Sequence, residues 1–371
     1  MHSRLKMYYD KELTALKRAN RYRTRKQFDA KLIDLASNDY LGLSANQKLA
    51  QRAFKHLDSY DEHAPKASML VNGYHPLHQK FEDALCELNG FEAGVILGSG
   101  FSANIAMIES LVRKGDTLFM DELYHASGQL ASKLVDGKVI TFKHNDANDL
   151  EKKLQEHKGF RNIIAVEGIY SMDGDLLNRE IIDIADEADA ILIVDEAHSS
   201  GVVGPNLLGV FDHYDLPIKE NYIKMGTLGK AYGSFGAYIL ASTHIVDFLI
   251  NRAKPIIYAT APSLFDTALG LEALHYIQKE KKSLIFKRDK IQKMIFDTLG
   301  FAVPALIVPI VIDDNKKVLL IQEQLLKEGY IVGAIRQPTV EHAIIRIIAR
   351  LNIDPKALKK ALDIVLSYKK Q

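Results

Sequence analysis

The feature that most constrains the fold is a regular alternation of short apolar runs with longer amphipathic stretches between about residues 80 and 240. A run of four or five apolar residues is short for a helix and suits a strand that is covered on both faces. Strands that alternate with helices are typical of a parallel sheet with helices on both sides. The sequence therefore predicts an α/β fold, and seven runs provide its strands: GVIL (94–97), TLFM (117–120), KVITF (138–142), NIIAV (162–166), AILIV (190–194), YIKM (222–225) and AYIL (237–240).

Beyond about residue 275 the pattern becomes that of a smaller α+β region. A charged helix is predicted from His275 to Leu299, followed by the apolar stretch VPALIVPIVI, a helix near residues 316–328, the strand AIIRII and a closing helix. Residues 4–20 predict a separate polar helix. The predicted limits are residues 1–39 for an N-terminal arm, 40–275 for a large domain and 276–371 for a small C-terminal domain. We expect a ligand cleft between the large and the small domain.

Charge and cysteine content narrow the function classes. The 371 residues include 48 Lys and Arg against 47 Asp and Glu, a formal net charge of +1, so no broad basic field favours nucleic acid or an anionic membrane. The charged N-terminal stretch lacks the apolar core of a secretion signal, and no apolar run predicts a membrane span. Cys86 is the only cysteine, so no disulfide can form within the chain and a reducing cytoplasm is the expected compartment.

An acidic motif, DEAH, follows the run AILIV and begins with Asp195. In open α/β sheets, ligands bind at the carboxyl ends of the strands. DEAH also occurs in ATPases, but those need a glycine-rich phosphate loop that ends in Lys-Ser or Lys-Thr. The nearest segment is GTLGKAYG (226–233). Aligned on Lys230, the first loop glycine would fall on Lys224, just before the segment, and the hydroxyl residue on Ala231. An ATPase is therefore disfavoured, and Ala103 at the third glycine position of LGSGFSAN weakens a dinucleotide-binding fold.

The segment LGSGFSAN still indicates a phosphate site. Its glycines follow the run GVIL, so the backbone N–H groups of Gly100, Phe101 and Ser102 can approach a phosphate where a helix begins. A tight strand-to-helix turn without a ligand explains the segment equally well.

Lys230 is the candidate for covalent chemistry. It follows the run YIKM and lies among four glycines between residues 226 and 236, whose missing side chains leave room for a planar ring. A lysine amine forms Schiff bases with aldehydes, and pyridoxal phosphate carries an aldehyde and a ring nitrogen that pairs with a carboxylate. Asp195 suits that carboxylate, with His198 three residues further on.

Eight segments in the expected order and spacing carry a resemblance to the α-oxoamine synthases, the fold-type-I pyridoxal-phosphate enzymes that join amino acids to acyl-CoA thioesters. The resemblance implies a mostly parallel seven-stranded sheet in a cofactor-binding large domain, a smaller C-terminal α+β domain and a homodimer with active sites at its interface. The segments are SNDYLGL, NGYHPLHQKFE, GSGFSAN, HAS, EGIYSMDGD, VDEAHSSGVVG, GTLGKAYGSFG and IYATAPS.

The same resemblance implies which residues contact pyridoxal phosphate. Four are implied to be catalytic, through the aldehyde, the ring nitrogen, the ring hydroxyl and the ring face: Lys230, Asp195, His198 and His125. Five more are implied to contact the ring or the phosphate, the last of them across the dimer interface: Ser171, Gly100, Phe101, Thr227 and Thr260. No metal is expected.

Substrate contacts follow from the resemblance too. Arg346 in AIIRII matches the arginine that grips the substrate carboxylate, a bidentate task that suits a guanidinium. The further candidates are Thr339 and Arg336 in IRQPTV, Asn38 in SNDYLGL, and either Arg21 or Arg23 for the acyl thioester. Two departures from the family pattern are PKASML (65–70), where many members have a glycine-rich segment, and the sequence that follows Arg346.

The implied reaction is a decarboxylative condensation of an amino acid with an acyl thioester. The segments SNDYLGL and IRQPTV most resemble members that use L-alanine and a pimeloyl thioester in biotin synthesis. Members that use glycine or serine share the same catalytic residues, and a pocket that differs by one methylene discriminates only modestly. An aminotransferase or lyase on the same fold, and a binding module without catalysis, are the alternatives. The acyl length and the choice between CoA and an acyl carrier protein stay open.

Overall fold

The structure, a computed structural model, describes residues 2–19 and 21–369. The chain forms two compact units that divide between Ile33 and Asp34. Among the described residues, no helix combines the length and the apolar character needed to cross a bilayer.

The N-terminal unit consists mainly of α1 (His2–Arg18), which confirms the helix predicted over residues 4–20 with slightly different ends. Its last turn carries Lys17 and Arg18, whose positive charge is favourable at a helix carboxyl end. Residues 4 to 19 are exposed, and Lys17 Nζ lies 4.9 Å from the centre of the Tyr22 ring.

The second unit is built on a seven-stranded sheet, and all seven predicted runs are strands of it. Their order across the sheet is β2-β8-β7-β6-β5-β3-β4. Five neighbouring strands, from β7 to β4, pair in parallel, while β8 pairs antiparallel with both β7 and β2. The bounds, after the short β1 (Ile33–Asp34), are β2 (Ala93–Leu97), β3 (Thr117–Asp121), β4 (Lys138–Phe142), β5 (Asn162–Glu167), β6 (Ile191–Asp195), β7 (Tyr222–Thr227) and β8 (Ala237–Ala241).

The direction of β8 follows from the length of its connection. Only residues 228–236 join β7 to β8, whereas a crossover to a parallel strand needs a dozen residues or more. This short loop carries Lys230. The lysine therefore lies at the carboxyl end of β7, on the same edge of the sheet where β5 and β6 end.

Helices cover both faces of the sheet, as predicted. Alternate strand residues such as Ile223 and Met225 pack with α4, α9 and α10 in one apolar cluster, and the intervening residues, such as Leu192 and Val194, are also fully buried. The helices are α2 (Gln47–Leu57), α3 (Pro76–Asn89), α4 (Gly100–Leu111), α5 (Ala126–Ala131), α6 (Ala147–His157), α7 (Arg179–Glu187), α8 (Val210–His213), α9 (Thr243–Arg252) and α10 (Lys254–Ile257), with a 3₁₀ turn at Leu43–Ala45 and a π-helical turn at Met69–Gly73.

The long helix α11 (Leu264–Leu299) begins well before His275, so the predicted start was wrong. Ser263 caps it by accepting a hydrogen bond from the N–H of Asp266. Its first turns are apolar and pack against α2 and α3. Because these first turns are buried, they carry few charged residues. The prediction started at His275 because the dense charge pattern begins there.

The C-terminal region has the predicted α+β composition. A three-stranded antiparallel sheet has the order β11-β12-β9, which places Arg346 of the central strand opposite Pro309 and Gly333. Pro309 is tolerated because β9 is an edge strand. The elements are β9 (Ile307–Val311), α12 (Asn315–Lys327), β10 (Tyr330–Ile331), β11 (Gly333–Ile335), β12 (Ile344–Ile348) and α13 (Pro355–Lys369).

Candidate active site

Polar side chains gather where three neighbouring parallel strands end. Glu167 is the last residue of β5, Asp195 the last of β6 and Thr227 the last of β7. Lys230 follows three residues after Thr227. In open α/β sheets this carboxyl edge is the usual place for a ligand, so the fold brings together the acid and the lysine that the motifs singled out.

Lys230 is half-buried and contacts a buried histidine. Its Nζ lies 2.7 Å from Nε2 of His198, and the other ring nitrogen, Nδ1, lies 2.5 Å from the hydroxyl of Tyr40. Burial, together with the positive charges of Lys230 and Arg346, lowers the pKa of His198 well below its ordinary value. The imidazole is therefore neutral and links Lys230 to Tyr40.

The Lys230 amine is tuned toward nucleophilic chemistry. Burial lowers its pKa to about 8, although the charges of Asp195 and Glu167 act in the opposite direction. A substantial fraction of the amine is therefore neutral slightly above neutral pH, and the neutral amine is the form that attacks an aldehyde.

Some of the glycines around Lys230 are required by close packing of the protein itself, and not by space for a ligand. Gly233 has a φ of 61°, and a Cβ there would lie 2.5 Å from the backbone nitrogen of Ser44. A Cβ at Gly226 would lie 2.2 Å from the Tyr238 ring. Only Gly229 among these three has no heavy atom within 3.7 Å of such a Cβ, its nearest neighbour being Thr227 at 3.8 Å. The interpretation that all four glycines clear room for a ring was therefore too broad.

Asp195 is buried and held by two donors. Its Oδ1 accepts from the N–H of Ala197 at 3.0 Å, and its Oδ2 accepts from the side-chain amide of Asn104 at 2.8 Å. Asn104 is oriented in turn by the hydroxyls of Ser127 and Tyr124, at 2.9 and 2.7 Å. Within the described parts of the chain, no Lys, Arg or His nitrogen lies within ion-pair distance of Asp195.

His125 caps the amino end of α5. Its Nδ1 lies 2.7 Å from the hydroxyl of Ser127 and accepts a longer bond from the Ser127 N–H at 3.3 Å. Burial and the charge of Lys230 lower its pKa, against the opposing effect of Asp195. Its ring is thus fixed and neutral, while its stacking role stays a prediction.

The predicted phosphate-binding segment lies at the amino end of α4, next to Thr227. A Cβ at Gly100 would be 3.6 Å from Cβ of Thr227. The first N–H groups of a helix have no partner within the helix, which leaves those of Gly100 and Phe101 for a ligand. The N–H of Ser102 donates to the side chain of Ser99 at 3.1 Å, and its phosphate contact stays a prediction.

Arg346 is 7% exposed, and its hydrogen-bond partners among the described residues are neutral. Its Nε donates to the carbonyl of Ser171 at 2.8 Å, and both terminal nitrogens lie 3.2 Å from Oδ1 of Asn38. In the described part of the molecule no carboxylate lies within 4 Å of it. Arg350, by contrast, pairs with Asp34 and Asp39. A buried guanidinium without a counter-charge suits a ligand carboxylate.

The structure places the remaining predicted residues without testing their roles. Thr260 is exposed and forms an isolated β-bridge with Ser68 of the PKASML segment. Arg336 and Thr339 lie in one turn, where the N–H of Thr339 donates to the carbonyl of Arg336 at 2.9 Å. Arg21 and Arg23 are exposed in the N-terminal unit.

Three site residues were missed by the sequence analysis: Tyr40, Asn104 and Glu167. Each lies within a segment quoted for the family resemblance, respectively SNDYLGL, GSGFSAN and EGIYSMDGD. Nothing in their residue types alone distinguishes them from ordinary core or cap residues, and their contacts with His198, Asp195 and Ser171 appear only in three dimensions.

Comparisons with known proteins show which family the chain belongs to. A family model described as aminotransferase class I and II matches residues 30–365. The 8-amino-7-oxononanoate synthase of Helicobacter pylori strain J99 is 44% identical, and the alignment covers 98% of each chain. The putative 8-amino-7-oxononanoate synthase of Aquifex aeolicus is 36% identical, over 97% of this chain and 98% of its own.

Solved structures are similar over almost the same length. The 8-amino-7-oxononanoate synthase from Francisella tularensis has a TM-score of 0.77 and 25% identity, over 92% of this chain and 100% of its own. The serine palmitoyltransferase of Sphingomonas wittichii has a TM-score of 0.83 and 23% identity, over 91% of this chain and 87% of its own, a likeness of fold. The protein therefore belongs to the aminotransferase class I and II family and, as its eight motifs predicted, to the α-oxoamine synthases.

Proposed function

We propose that this protein is an 8-amino-7-oxononanoate synthase, which condenses L-alanine with a pimeloyl thioester and releases the carrier thiol and carbon dioxide. The observation that carries the proposal is the presence of Lys230 and Asp195 at the carboxyl edge of the sheet. The buried Arg346, which has no carboxylate within 4 Å in the described residues, bonds to the carbonyl of Ser171 at the same edge. The full-length likeness to the synthases of that name supports the choice of substrates.

The residues present fit pyridoxal phosphate. Asp195 is a buried carboxylate held by neutral donors, which suits a protonated ring nitrogen. Lys230 would hold the aldehyde carbon, His198 the ring hydroxyl and His125 the ring face. The phosphate would be held by the N–H groups of Gly100 and Phe101, by Thr227 and, from the partner subunit, by Thr260, with Ser171 beside the ring. When bound, the cofactor withdraws electrons from the substrate and makes its Cα proton acidic.

The chain's own groups then position the substrate and move its proton. Arg346 binds the carboxylate of the amino acid, and Asn38 holds the guanidinium in place. Lys230 Nζ accepts the Cα proton, a role that suits an amine whose pKa burial lowers to about 8. By the family resemblance, Thr339 and Arg336 would line the substrate site, and an N-terminal arginine, Arg21 or Arg23, would contact the acyl thioester.

A comparison of three amino-acid substrates tests the proposal directly. The purified holoenzyme is incubated with pimeloyl-CoA and either L-alanine, glycine or L-serine, and free CoA and carbon dioxide are measured. We expect both products with L-alanine and at least about tenfold less with the other two, the discrimination expected when a side chain differs by a small group. Greater release with glycine or serine would assign a sibling activity, and amino-group transfer without CoA release would assign an aminotransferase.

The lowered pKa of Lys230 predicts a pH dependence of cofactor uptake. In the cofactor-free protein, half of the amine is neutral near pH 8, and the neutral fraction approaches its maximum about one pH unit higher. The rate at which added pyridoxal phosphate becomes bound, followed by visible absorbance between pH 6 and about 10, should therefore reach half of its maximum near pH 8 and then level off. A rate that still rises steeply at the upper end of this range would show that burial does not lower this pKa.

We further propose a cytoplasmic homodimer with the active site at its interface, and the domain limits 1–39, 40–275 and 276–371. Exposed apolar side chains beside the Ser68–Thr260 bridge support the interface: Val71 is 78% exposed and Tyr258 79% exposed. Analytical ultracentrifugation should give twice the chain mass of 41.6 kDa, and a monomer at micromolar concentration would contradict the interface.

A further inference from the structure

Glu167 is a buried acid that the proposed reaction leaves without a role. It is 2% exposed and ends β5, where its Cα pairs with that of Asp195 in the parallel register. Two carboxyl groups on adjacent positions of neighbouring strands disfavour each other's charged form. If this buried position served packing alone, an apolar residue would fill it at lower cost. Val166 and Val194, one position earlier on the two strands, are apolar and fully buried.

One oxygen of Glu167 has no hydrogen-bond partner. Oε2 accepts from the N–H of Ser171 at 3.2 Å, whereas Oε1 is buried and unpaired within residues 2–19 and 21–369. Glu82, another buried glutamate, has both oxygens bonded, to the hydroxyl of Tyr74 and the N–H of Ile96. An unpaired buried carboxyl oxygen is costly, so its presence at the edge of the site points to a partner that arrives with a ligand.

The bonded oxygen connects Glu167 to the substrate-binding arginine. The N–H of Ser171 donates to Oε2 of Glu167 at 3.2 Å, and the carbonyl of Ser171 accepts from Nε of Arg346 at 2.8 Å. The Ser171 backbone is therefore held from both sides. A shift of this residue would turn the guanidinium of Arg346 away from its present direction.

Charge balance favours a neutral Glu167. Burial and the negative charge of Asp195 raise its pKa well above its ordinary value, and Lys230 opposes this rise. With Glu167 uncharged, the positive charge of Arg346 is not cancelled before a substrate carboxylate arrives. A neutral acid also has an O–H donor for an acceptor on the bound molecule.

We propose that Glu167 is a positioning residue for the amino-acid substrate: it holds the Ser171 backbone against Arg346 and completes its hydrogen bonding through Oε1 when the site is filled. The inference rests on the proposed function, since it assumes that Arg346 binds a substrate carboxylate. Glu167 acts here as a neutral acid, so an amide of the same shape can replace it.

The test compares three variants of the holoenzyme: Glu167→Ala, Glu167→Gln and the matched control Glu82→Gln. The dissociation constant of L-alanine is measured from the change in visible absorbance of the bound cofactor, and that of the cofactor by titration. Glu167→Ala should weaken L-alanine binding about tenfold while changing cofactor binding by less than about threefold, the loss expected for a hydrogen bond that orients a charged group. Glu167→Gln should restore binding to within about threefold of the wild type, and Glu82→Gln should match the wild type.

Three results would overturn the inference: unchanged L-alanine binding in Glu167→Ala, a Glu167→Gln variant as weak as Glu167→Ala, or an equal loss in Glu82→Gln. If Glu167→Ala does not fold, Glu167→Asp replaces it, because the shorter side chain withdraws from Ser171. Failure of the proposed function shows in the wild type instead, as a response to glycine or serine in place of L-alanine. The variants are then compared with that amino acid, which carries the same carboxylate.

Discussion

Replacing Lys230 with alanine is expected to lower turnover by about a thousandfold or more, the largest effect of any single substitution in this site. The Lys230→Ala variant loses both the amine that attacks the cofactor aldehyde and the base at the Cα proton. Its neighbours should keep their places, because His198 retains its bond to Tyr40 and Asp195 its bonds to Asn104 and Ala197. The loss should therefore be chemical and not structural.

Visible absorbance and CoA release measure this effect separately. The variant should bind pyridoxal phosphate without the absorbance band of the lysine-linked cofactor and should release almost no CoA. Lys219→Ala is the control, since Lys219 forms a half-exposed ion pair with Asp186 and lies outside the site. Turnover of Lys230→Ala within tenfold of the wild type would remove this lysine from the mechanism.

The second large effect is expected at Arg346. Arg346→Ala should raise the KM for L-alanine by about a hundredfold and change kcat less, because a buried charged contact to the substrate carboxylate is lost. Arg346→Lys should recover only part of the loss, since an ammonium cannot form two parallel hydrogen bonds to a carboxylate. Arg346 has no counter-charge within the described structure, so its guanidinium is available to a substrate carboxylate. Arg350 already pairs with two carboxylates of the protein.

Steady-state kinetics with varied L-alanine give the two constants. Arg179→Ala is the matched control, because Arg179 is half-exposed, pairs loosely with Asp183 and should leave KM unchanged. If Arg346→Ala keeps the wild-type KM, the substrate carboxylate binds elsewhere and the direction of the amino acid in the site must be reversed.

The sheet was predictable because each strand carries its own signal. Most of the seven apolar runs are buried on both faces, the edge strand β4 excepted, so they are recognisable as strands without knowledge of their neighbours. The start of α11 was not predictable, since residues 264–274, which pack against α2 and α3, are mostly apolar and lack the dense charge pattern of the rest of the helix. The antiparallel direction of β8 follows from the short loop between β7 and β8. The length of this loop is defined only when the ends of both strands are known.

By itself, the sequence determined the α/β class and the family. It also predicted the residues of the covalent site, because Lys230, Asp195, His198 and His125 lie in the motifs that carry the family resemblance. Only the tertiary structure decided the partners of those residues. Tyr40 meets His198 across 158 positions of the chain, and Asn38 meets Arg346 across 308. Burial, which lowers the pKa of Lys230 and leaves Arg346 and Glu167 without full partners, depends on how distant segments pack, and no local pattern records it.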